Sequence, residues 1–122
     1  MRDGYCAMIP SYDLWRKRLA AVQSGLANPK KWPRELHAGI EPGPEDCGFW
    51  RLPIKTRQEN GRWKLERTVP VALFVADDRL ICHIGHEEVD EDRRNDAWSW
   101  FLACPITEEE YRAELSQIME VP

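Results

Sequence analysis

"GFWRLPIKTRQENGRWKLERTVPVALFVADDRLICHIG", Gly48 to Gly85, is the stretch that decides the fold. Trp50, Leu52 and Ile54 alternate with Arg51 and with charged residues further on, so a strand here has one apolar and one polar face. Pro53 has no N–H for a ladder, which places this strand at a sheet edge or gives it a bulge. Asn60-Gly61 signals a hairpin, because both central positions of a type I′ turn need positive φ. Trp63 and Leu65 alternate with Lys64 and Glu66 on the returning strand, and Trp50 and Trp63 are expected opposite one another. "VPVALFVA" is almost wholly apolar, as a central strand buried on both faces requires. Asp77-Asp78 turns the chain and "RLICHIG" returns. The expectation over residues 48–85 is a four-stranded antiparallel meander of two hairpins.

Helical periods flank this region. Trp15, Leu19, Val22 and Leu26 fall at i, i+4, i+7 and i+11, the apolar stripe of a helix over 11–27, with Ser11 or Asp13 near its cap. Arg16, Lys17 and Arg18 are expected to project away from that stripe. Residues 28–47 are rich in Pro and Gly and keep no period, so they read as an extended connection, either docked through Trp32, Leu36 and Ile40 or separating an N-terminal helix that can move. The C-terminal part, 95–119, returns to helix. In "NDAWSWFLAC", Trp98, Phe101 and Leu102 suit a helical face with Asn95 or Asp96 as cap, although alternation of Trp98, Trp100, Leu102 and Cys104 also suits a strand. "ITEEEY" is a capping box with a hydrophobic staple: Thr107 at N-cap, Glu110 at N3, Ile106 at N′ and Tyr111 at N4. Together these describe one α+β domain: an N-terminal helix, an antiparallel sheet of about four strands, and two C-terminal helices.

Composition narrows the function classes. The net charge of −4 argues against a general binder of nucleic acid held by phosphate neutralisation. Local charge is uneven: Arg16, Lys17, Arg18, Lys30, Lys31 and Arg34 make the N-terminal third basic, whereas Glu87, Glu88, Asp90, Glu91 and Asp92 form an acidic run. "MRDGYCAMIP" has no apolar h-region, and no apolar run reaches the roughly 18 residues of a membrane span, so a soluble, cytoplasmic protein is expected. Cys6, Cys47, Cys82 and Cys104 then read as reduced, partly buried thiols.

Cys82-His83-x-x-His86 is the one local trio with metal-ligand chemistry. Adjacent strand residues point to opposite faces, so Cys82 and His83 do not converge, and no second local pair completes a tetrahedral set. A metal-dependent enzyme around Cys82, His83 and His86 is therefore an alternative rather than the leading reading. Cys104 precedes Pro105 near a helix start, a location that can lower a thiol pKa. There is no G-x-S-x-G, P-loop, dinucleotide fingerprint or H-E-x-x-H. The acidic run reads first as a solvated loop entering a helix N-terminus. As a binding feature it is a carboxylate surface for a basic partner, carried by Glu87, Glu88, Asp90, Glu91 and Asp92. The other alternative is a small nucleic-acid-binding module using Arg16, Lys17 and Arg18 on the first helix, with Trp15 and Trp32 as stacking platforms.

At "GFWR", "VPVALF", "WSWF" and "PITEEEY" the chain resembles a loose class of small phage and prophage accessory proteins, over about residues 48 to 112. The resemblance implies a phage origin and an accessory role in the infected cell, and it carries over no catalytic residues. The reading is a non-enzymatic protein, without metal or cofactor, that binds and modulates a host protein with a basic surface. An anti-CRISPR-like inhibitor of host defence is one form of that role.

Overall fold

The computed structural model describes residues 13–26, 28–37, 39 and 41–118. The chain runs through helix α1 (Asp13–Gln23), three short 3-10 turns (Pro29–Lys31, Arg34–Leu36 and Pro44–Asp46), strands β1 (Gly48–Arg57), β2 (Trp63–Ala76), β3 (Arg79–Ile84) and β4 (Glu87–Val89), then helices α2 (Glu91–Phe101) and α3 (Glu108–Gln117). The strands form one antiparallel sheet in the order β1-β2-β3-β4. This is the α+β architecture that the sequence predicts: helix, four-stranded sheet, two helices.

The strands divide differently from the expectation. "WKLERT" and "VPVALFVA" form a single strand of 14 residues, because no turn residue interrupts them. The irregularity falls instead as a bulge: Ile54 pairs with Arg67, but Lys55 pairs with Leu65. The fourth strand is Glu87–Val89, part of the expected acidic loop, folded back on Cys82–Ile84 through Gly85, whose φ is +62°. The meander thus has three hairpins. Trp50 faces Val71 and Trp63 faces Arg57, so the expected Trp50–Trp63 pair does not form: the continuous β2 carries Trp63 past the apolar half of β1.

The turn chemistry also moves. Gly61 N–H donates to the Gln58 carbonyl at 2.9 Å, and Gly61 (φ +82°) is the only residue of that loop with positive φ. This is the three-residue loop closed by a left-handed glycine, not a type I′ turn at Asn60-Gly61. The turn with two positive-φ centres is at Asp77 (φ 53°) and Asp78 (φ 59°). Aspartate tolerates that region better than most side chains do.

Successive residues of β1 point to opposite faces, and each face has its own helix. Trp50 meets Trp98 and Phe101 of α2, with ring centroids 5.5 and 5.9 Å away. Phe49 meets Tyr111 of α3 at 4.8 Å, and Arg51 on the same face is bound by Glu114. Val71 and Leu73 of the central strand are fully buried between the layers. The outer edge of β1 is covered at its start, where Arg51 N–H donates to the Cys104 carbonyl and Ile106 N–H to that of Phe49. Beyond Leu52 no described residue pairs with the edge, and Pro53 there blunts it.

Helix α1 docks at the start of β1. Trp15 Nε1–H donates to the Phe49 carbonyl at 2.9 Å, and its ring lies over Gly48. The connection does dock through Trp32 and Leu36, both buried; Ile40 lies outside the described residues. Trp98 Nε1–H reaches the Gly39 carbonyl, so this segment also lies against α2. Helix α2 starts earlier than expected, capped by Asp90 accepting from Arg93 N–H at 2.8 Å rather than by Asn95 or Asp96. Helix α3 has the predicted reciprocal box between Thr107 and Glu110.

Candidate functional site

Trp98 and Phe101 turn inward on α2, which leaves Trp100 on the opposite side and 60% exposed. Trp63, near the outer end of the β1–β2 hairpin, is 63% exposed. Both indoles border one open groove of about 1050 Å³. Its floor is apolar, made by Leu52 and Ile54 of β1, Val69 of β2 and Ile84 of β3. These side chains belong to the Trp50 face, at the end that α2 leaves uncovered. The rim is charged: Lys55 and Arg67 on the hairpin side, Asp96 on the helix side, and Arg93 paired to Glu87 at 3.0 Å. A concave apolar patch with two exposed tryptophans and a charged border has the anatomy of a binding surface.

The acidic run is split among elements. Glu87 and Glu88 lie on β4 and point to opposite faces, Asp90 caps α2, and Glu91 and Asp92 form its first turn. Only Glu87 lines the groove. Glu88 lies 3.8 Å from His83 Nε2. Asp90, Glu91 and Asp92 gain from the partial positive charge of the helix start, the solvated reading of these residues.

The basic helix face is not as expected. Arg18 is fully buried, since it lies three residues from Trp15 on the inward side of α1. Its Nη1 lies 2.7 Å from Asp46, its Nε–H donates to the Leu36 carbonyl, and its guanidinium sits over the Trp50 and Trp98 rings. It therefore cannot be a nucleic-acid contact; Arg16 and Lys17 remain exposed. Trp15 and Trp32 are both buried and offer no stacking platform.

Cys82, His83 and His86 do not come together. Cys82 is buried against the α2 side of the sheet, whereas His83 packs edge-on against Phe74 on the other face. His86 Nε2 lies 3.1 Å from the Ile118 carbonyl. Among the described residues, no group of three or more His, Cys, Asp or Glu side chains is placed to hold a metal ion. Cys47, Cys82 and Cys104 are free thiols; Cys6 lies outside the described residues. Burial pushes Cys47 and Cys82 up to about 12, with Asp46 and Glu45 adding to the effect at Cys47. Cys104 is also raised, against the expectation of a lowered thiol: burial outweighs the opposing effect of Arg51 and Lys55.

Trp63 and Trp100 were not singled out by sequence. A signal exists for Trp100, which falls outside the inward face of Trp98, Phe101 and Leu102. For Trp63 strand alternation alone shows none. No helix among the described residues is long and apolar enough to cross a membrane. No protein-family model matches the chain, and neither a curated protein nor a solved structure matches it.

Proposed function

We propose that this is a non-enzymatic binding protein that takes an apolar segment of another protein into the groove between Trp63 and Trp100. The observation that carries the reading is the pair of tryptophans, on separate elements, both mostly exposed around one apolar floor. Burying one such side chain against a partner removes on the order of 150–250 Å² from water, and tryptophans dominate the energetics of many interfaces. The carboxylates of Glu87 and Asp96 on the rim suit a partner with basic residues flanking its apolar segment. Resemblance to phage accessory proteins makes a host protein the natural partner, with inhibition of a host defence as the outcome of binding.

The experiment is affinity capture from host lysate with wild type, Trp63→Ala and Trp100→Ala in parallel, followed by calorimetry with the recombinant partner. Either substitution is expected to weaken binding at least about tenfold, as loss of a hot-spot side chain does. A partner set identical for wild type and both variants would remove the groove from the function.

A further inference from the structure

The β1–β2 hairpin leaves the body as a bare arm. Every residue from Lys55 to Thr68 is exposed, and the bulge at Ile54/Lys55 marks the base of the arm. At strand spacing, Trp63 to Thr68 spans about 17 Å. Lys55, Arg57, Arg62, Lys64 and Arg67 stand on this ribbon against Glu59 and Glu66. None of those five cations forms an ion pair with a described residue, whereas Arg16, Arg51, Arg93 and Arg112 each meet a carboxylate. Among the described residues, no carboxylate stands within ion-pair distance of the arm's cations.

We propose that the arm is a contact for duplex DNA, its two-stranded ribbon entering the major groove with the cations on the flanking phosphates. A major groove about 12 Å wide and 8.5 Å deep admits such a ribbon, and the arm is longer than the groove is deep. An acidic polypeptide would meet the same charges but offers no cleft shaped for a paired ribbon. Lys55 and Arg67 also line the Trp63–Trp100 groove, whereas Arg57, Arg62 and Lys64 do not, so those three separate DNA contact from protein binding.

The test is fluorescence anisotropy of a labelled short duplex, with log K followed against log salt between about 50 and 200 mM. Three to five phosphate contacts predict a slope of about −3 to −5. Arg57→Glu/Arg62→Glu/Lys64→Glu is expected to bind at least about tenfold more weakly, with the slope shallower by about three. The corresponding Gln triple variant should lie between it and wild type. All three positions are exposed, so thermal unfolding should be unchanged in both, and Trp100→Ala should bind DNA like wild type. The proposal is overturned by absence of binding at the lowest salt, by equal binding of wild type and the Glu variant, by a single strand preferred to the duplex, or by poly-glutamate bound as tightly as DNA.

Discussion

Arg18 Nη1 lies 2.7 Å from Asp46 Oδ1, and both side chains are sealed from solvent. The pair ties α1 to the turn that precedes β1. Asp46 also accepts from Gly43 N–H, and Arg18 also holds the Leu36 carbonyl, so one cation bridges α1 to two points of the connection. Removing one partner of a buried pair strands the other charge. Arg18→Ala is therefore expected to cost about 3–5 kcal/mol in chemical denaturation. Lys17→Ala, on the exposed side, should stay within about 0.5 kcal/mol. Equal effects would show that the buried pair does not anchor the helix.

The two tryptophans of α2 separate stability from binding. Trp98 is fully buried against Trp50 and Phe101, so Trp98→Ala is expected to cost about 3–5 kcal/mol. Trp100→Ala should change stability by less than about 1 kcal/mol. Urea unfolding of both variants, beside partner binding, checks this division.

Gly48 has a steric requirement. Its φ is +155°, and a Cβ there would stand 2.2 Å from Cγ of Trp15. Gly48→Ala must displace the indole or the strand, at an expected cost of at least about 1–3 kcal/mol. Loss of the Trp15 hydrogen bond to Phe49 should appear as a changed indole fluorescence. An unchanged stability would exclude the close contact.

The start of α3 sets an acid limb. The carboxyl of Glu110 is held below its ordinary value first by the Thr107 backbone N–H, then by the Thr107 hydroxyl and nearby Arg51. A carboxylate whose pKa is lowered on folding stabilises above its unfolded pKa, and that contribution is lost as pH falls through the folded value. Glu110→Gln should therefore be less stable than wild type at neutral pH, and the difference should shrink on acidification. Unfolding midpoints across the acidic range check the sign; a difference that grows as pH falls would contradict it.

Asp77 and Asp78 occupy left-handed backbone where glycine and asparagine fit with less strain. Asp77→Asn/Asp78→Gly is expected to raise stability by up to about 1 kcal/mol, whereas Asp78→Val should lower it by about 1–2 kcal/mol. Thermal unfolding of the two variants distinguishes a relaxed turn from a tighter one.

Much of this fold is local and hence legible in order of residues. Ile106, Thr107, Glu110 and Tyr111 meet within one turn of chain, so the α3 start follows from their spacing alone. Alternation of Trp50, Leu52 and Ile54, with Pro53 beside them, marks an edge strand or a bulge; β1 is the edge strand, and the extra residue of the bulge, Glu66, lies on β2. The five cations of the arm are equally visible as charges. Their isolation from carboxylates is not, because it depends on how far β2 runs beyond the body.

Only the tertiary structure decided which long side chains face water. Arg18 reads as a surface cation until Asp46, 28 residues away, closes over it. Trp15 and Trp32 are buried while Trp63 and Trp100 are not. Periodicity reports a residue's place on its own helix or strand, but exposure depends on what another segment lays against that place. The sequence by itself determined the α+β order, the edge strand and the capped last helix. Packing between distant segments decided the buried ion pair, the bare arm and the groove.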